Sequence, residues 1–61
     1  MKAKYKKGEL VSFNIDNDTK KGMIVIIDYH NTPIKHISYD VFVDEDNCLY
    51  KHLQEEDISK L

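Results

Sequence analysis

The 61-residue chain has no tryptophan and no arginine, and only one cysteine, one proline and two glycines. All nine basic residues are therefore lysines, whereas arginine is the side chain suited to bidentate recognition of guanine or phosphate, so base-specific reading of nucleic acid is disfavoured. With Cys48 alone, no disulfide can form within the chain, and a lone thiol argues for a reducing compartment; a cytoplasmic location is expected. The longest apolar run, Met23 to Ile27, is five residues, against the roughly 18 needed to span a bilayer. The basic opening from Met1 to Lys7 is followed by Gly8 and Glu9 instead of an apolar stretch, so it does not read as a secretion signal. Asn17-Asp18-Thr19 fits a glycosylation acceptor, but without a secretory route it reads as a polar turn.

What is present is strand patterning. A chain this short buries only about 60% of its unfolded surface, which leaves a thin core and room for one domain, 1–61, with residues 1–7 read as a flexible basic arm. Over 9–15, Val11, Phe13 and Ile15 alternate with Ser12 and Asn14, the period of a half-buried strand. The turn formers from Asp16 to Gly22 predict a polar, mobile loop. A second strand over 22–28 holds the β-branched run Met23 to Ile27, apolar on both faces, as expected where a sheet curls and both sides are covered. Pro33 excludes a central strand at that point. Over 36–44, Ile37, Tyr39, Val41 and Val43 alternate against Ser38, Asp40, Phe42 and Asp44. Asp44 to Asn47 forms a compact acidic turn, 47–53 returns as a fourth strand, and Gln54 to Asp57 makes a short helical turn before the closing anchor Ile58. A C-terminal helix from Leu49 to Leu61 is the competing reading, with apolar residues only at 49, 53, 58 and 61.

This order of segments resembles the SH3-like barrel group that includes KOW and Tudor modules. The resemblance rests on Lys7-Gly8-Glu9-Leu10-Val11, Gly22-Met23-Ile24-Val25-Ile26-Ile27, Tyr39-Asp40-Val41-Phe42-Val43 and Leu53-Gln54-Glu55-Glu56-Asp57-Ile58, spanning residues 7–58. Small proteins of bacteria and their phages look similar. The resemblance implies an all-β fold, a small barrel of four to five antiparallel strands with a short helical turn near the C-terminus. It says far more about fold than about function.

The chemistry-bearing residues form no recognisable catalytic set. There is no glycine-rich phosphate loop and no Ser/His/Asp spacing, and the paired carboxylates lie in turns, so the chain is read as not an enzyme. No cofactor is expected. Cys48 reads as a small buried residue. No metal site is expected either: Cys48 and His52, four apart on a strand, stand about 13 Å apart, while His30 and His36 can meet across the Pro33 turn but supply only two ligands.

The leading expectation is a noncatalytic protein-interaction module, an accessory protein of a bacterium or phage, holding a basic protein partner through Phe42, Tyr50, Asp44, Glu45 and Asp46. Phe42 faces away from Tyr39 and Val41, so it is the position that decides between core and exposed anchor. The alternative is nucleic-acid association through Lys4, Tyr5, Lys6, Lys20 and Lys21, with Tyr5 stacking on a base. Charge favours the first: residues 1–30 balance at +2 and residues 31–61 at −4. Self-association as a homodimer through an uncovered strand is a third reading.

Overall fold

A computed structural model of the chain describes residues 2–61. Five antiparallel strands, β1 (Leu10–Ile15), β2 (Asp18–His30), β3 (His36–Val43), β4 (Cys48–Gln54) and β5 (Ile58–Lys60), form one sheet in the order β4-β3-β2-β1-β5. Two single 3-10 turns, Asp44–Asp46 and Glu55–Asp57, are the helical content among the described residues. The second is the helical turn expected before Ile58, and the strands around it replace the competing C-terminal helix. β4 and β5 are the sheet's edges and do not pair with each other, so the sheet is open. No described helix is long and apolar enough to cross a membrane.

Local chemistry explains the first hairpin. Asp16 and Asn17 both adopt left-handed backbone, φ 49° and 68°, the conformation of a type I′ turn whose twist matches that of the flanking strands. Ile15 pairs directly with Asp18, so the expected loop over 16–22 shrinks to two residues and the polar stretch from Asp18 onward is strand. Thr19 donates its hydroxyl proton to Asn14 Oδ1 across the ladder at 2.7 Å.

At 13 residues, β2 serves two partners: its first half pairs with β1 and its second half with β3, overlapping at Met23, with an irregularity at Val25. Ile24 is fully buried, whereas Met23 and Ile26 remain 44% and 43% exposed. The expectation that both faces of this segment are covered is therefore corrected. An open sheet has one core face, and the outer face of β2 meets solvent. Gly22 lies so close to β3 that a Cβ there would stand 2.8 Å from Val41 Cγ1 and 3.0 Å from the Phe42 carbonyl carbon, which leaves glycine as the residue that fits.

The core gathers Val11, Phe13, Ile24, Ile37, Tyr39, Val41, Val43 and Ile58, the inward positions of the alternating pattern, together with Tyr5. Tyr5 corrects the reading of residues 1–7 as a flexible arm, of which Met1 lies outside the described residues. Its ring is 3% exposed, and its hydroxyl donates to the Ile58 carbonyl at 2.8 Å. The backbone N–H groups of Lys4 and Tyr5 both donate to the Tyr39 hydroxyl, and that hydroxyl donates to Glu55. A segment of four lysines is thus tied to the core through its one aromatic residue.

Candidate functional site

Strand register builds an apolar row on the outer face of the sheet. Leu10 of β1 pairs with Met23 of β2, Met23 pairs with Phe42 of β3, and Phe42 pairs with Leu49 of β4. Directly paired residues share a face, so these four side chains stand side by side on the face opposite Val11, Ile24, Val41 and Val43. Leu10, Met23, Val25, Phe42 and Leu61 line a groove of about 440 Å³, with Lys21, Asp44 and Glu45 at its margin. Leu10 is 54% and Leu61 63% exposed, so the apolar rim stands open to solvent. Phe42 itself is half-buried, the posture of an anchor at the floor of a groove.

The residues expected to act together divide between two places. Phe42, Asp44 and Glu45 meet at the groove. Tyr50 lies elsewhere: its ring packs edge-on to the core residue Phe13 with centroids 5.3 Å apart, and its hydroxyl donates to Asp46 Oδ2 at 2.7 Å. Asp46 also receives Lys20 Nζ at 2.9 Å. The hydrogen bond from Lys20, and after it that from Tyr50, holds the Asp46 carboxyl below its usual range. Asp46 and Tyr50 thus form a brace with Lys20 across the sheet, apart from the apolar groove. Asp44 and Glu45 are exposed and take part in no ion pair among the described residues.

The lysine set is not assembled into one surface. Tyr5 is in the core and cannot stack on a base, which corrects its proposed role. Lys20 is engaged by Asp46 and Lys21 borders the groove. Lys4 borders a smaller cleft of about 280 Å³ lined also by Lys35, Glu55 and Glu56, so that two acids balance the two lysines there. Lys6 is exposed outside that cleft, and its backbone N–H donates to Glu9 Oε1 at 3.1 Å.

A second polar cluster lies further along β2, where His30 and His36 meet across the Pro33 turn as expected and His52, not expected there, joins them. His30 and His36 are opposite each other in register and their rings stack, 4.3 Å between centroids with planes 8° apart. His52 reaches the same place because β4 bulges: Tyr39 pairs with Leu53 and Val41 with Tyr50, leaving Lys51 and His52 opposite Asp40 alone. His52 takes a left-handed φ of 61°, and its N–H donates to Oδ1 of the buried Asp40 at 3.0 Å. One donor atom each from Asp28, His30 and His52 then lie within 4.8 Å of one another. Uniform strand geometry, which separates Cys48 from His52, gives no hint of this bulge. Cys48 is exposed, correcting its reading as a buried residue.

Comparison with protein-family models, with curated proteins and with solved structures returns no match.

Proposed function

We propose that the chain is a noncatalytic protein-interaction module that docks a basic, apolar-anchored segment of a partner protein in the groove floored by Phe42. The observation that carries this reading is the row Leu10–Met23–Phe42, an apolar ladder across three strands on the face of the sheet that the core does not use. Aromatic and methionine side chains in a partly desolvated groove are the usual anchors of protein recognition, and unpaired acids at the rim select the sign of the partner. Asp44 and Glu45 supply that sign, outnumbering Lys21. The strand meander ending in a short β5 that returns to β1 supports the SH3-like reading of the fold, for a cytoplasmic accessory protein of a bacterium or phage.

The test uses a peptide of alternating lysine and leucine, with backbone amide shifts of the labelled protein as readout. Shifts clustered at Leu10, Met23 and Phe42, weakened on the order of tenfold by Phe42→Ala and by the exposed Met23→Ser, support the proposal. Shifts that map to another surface, or binding indifferent to both substitutions, overturn it. Met23→Ser guards against misreading a folding defect, since Met23 is already 44% exposed.

A further inference from the structure

We propose that Asp28, His30 and His52 form a binding site for a divalent transition-metal ion of the zinc class. Imidazole and carboxylate together are the ligand set that zinc and its neighbours prefer, while calcium and magnesium take oxygen ligands. Zinc bonds of about 2.0–2.2 Å in tetrahedral array place ligand atoms about 3.4 Å apart. Donors already within 4.8 Å of one another need only small side-chain rotations to close on an ion. Asp28 and His30, two apart on β2, present to one face of the strand, and His52 arrives from the opposite side of β3.

The surroundings prepare these groups as metal ligands. A coordinating imidazole ordinarily gives its other ring proton to an oxygen, which fixes the tautomer and the ring plane. His30 Nε2 lies 2.8 Å from Oγ of Ser38, a residue only 1% exposed, so Nε2–H donated to that hydroxyl leaves Nδ1 for the ion. The His36 ring, stacked on His30, holds the plane from one side and is itself fixed by Nδ1–H donating to the Ile34 carbonyl at 3.1 Å. On the other side, the 4% exposed Asp40 carboxylate grips the backbone N–H of His52 and maintains the bulge that aims this residue. Left-handed backbone at a non-glycine residue is costly and persists where the surroundings impose it. Here a buried carboxylate imposes it.

Three protein ligands leave a fourth position to water on the exposed side of His52. The ion would join β2 to the edge strand β4 across β3, a crosslink in a small domain with no disulfide to supply one.

The experiment titrates chelator-stripped protein with zinc by calorimetry and with cobalt by visible absorption, and follows histidine ring resonances of the unaltered chain. Expected are one ion per chain, cobalt bands lacking thiolate charge transfer, and displaced resonances of His30 and His52. At about a hundredfold excess over Kd, zinc should raise Tm on the order of 10 °C. His30→Gln and His52→Asn should each weaken binding by about tenfold or more, asparagine being chosen at 52 because it tolerates positive φ. Cys48→Ser should bind like the unaltered chain. No uptake, uptake lost with Cys48→Ser, or ring resonances of His30 and His52 that ignore zinc would each overturn the proposal.

Discussion

Tyr5 stands edge-on to Tyr39, with ring centroids 5.6 Å apart at an interplanar angle of 74°, and its hydroxyl reaches past that ring to the Ile58 carbonyl. One side chain from the start of the chain thereby closes the core against its final strand. Truncating a buried aromatic typically costs about 3–5 kcal/mol, a large share of the stability of so small a domain. Tyr5→Ala should therefore unfold at a much lower urea concentration than the unaltered chain. Lys6→Ala and Lys7→Ala, at exposed positions beside it, should leave the midpoint nearly unchanged.

Tyr39 and Glu55 make stability depend on pH at both ends of the scale. Burial, and then the hydrogen bond to Glu55, pushes the Tyr39 phenol up to about 12. Raised above its unfolded value of 10.0, it contributes stability that is intact below pH 10 and lost as pH rises through about 12. The hydrogen bond from Tyr39, with that from the Lys4 backbone, lowers the Glu55 carboxyl from 4.5, so its contribution is present above pH 4.5 and lost as pH falls through the lowered value. Urea midpoints measured across pH should fall in both windows. Glu55→Gln should flatten the acid limb, and Tyr39→Phe should flatten both while losing about 1–3 kcal/mol for the buried Tyr5 N–H left unpaired, the Lys4 N–H keeping its bond to Glu55.

Gly22→Ala should destabilise by about 1–3 kcal/mol, the range for forcing extra atoms into a packed site. The added methyl would press on the β3 backbone as well as on Val41, and backbone cannot rotate out of the way. Gly8→Ala meets no neighbouring atom but must hold a φ of 87°, so its penalty comes from backbone strain alone. Thermal melts distinguish the two mechanisms when Gly8→Asn is included: asparagine should recover much of the loss at position 8.

Charge reversal separates the groove from the brace. Asp44→Lys with Glu45→Lys should weaken binding of a basic peptide and reduce its dependence on salt, because these acids carry no internal partner among the described residues. Asp46→Asn removes an acid already committed to Lys20 and Tyr50, and should leave peptide affinity nearly unchanged. If Asp46→Asn weakens binding as much as the double reversal, the acidic rim acts as a single undivided field.

The strands were legible because alternation of apolar and polar side chains is a local property: Val11 and Phe13, or Tyr39, Val41 and Val43, face inward in the order their spacing requires. What stayed hidden depends on backbone angles and long-range partners. Asp18 to Lys21 reads as loop because its residues are polar, yet a two-residue turn with positive φ extends the strand to its very edge. Tyr5 sits among lysines, and only the distant Tyr39 and Ile58 make it core. At the groove, Phe42 was identifiable by its face, but Leu10 and Met23 join it through register, which a single strand does not encode. Tyr50 was misplaced for the same reason, as the hairpin register that pairs Phe42 with Leu49 sets Tyr50 opposite the inward Val41.

The reach of Tyr5 to Ile58 also sets the order in which the chain can assemble. These residues are 53 apart in sequence, so their union closes a longer loop than any other side-chain hydrogen bond among the described residues, whereas β2, β3 and β4 can zip as successive hairpins. Loop-closure entropy therefore predicts a barrier crossed with the meander formed and both chain ends still loose, which a chevron analysis of Tyr5→Phe checks. Substitutions at Tyr5 would leave the folding rate almost untouched and appear as faster unfolding, making this tyrosine a latch on the lifetime of the native state.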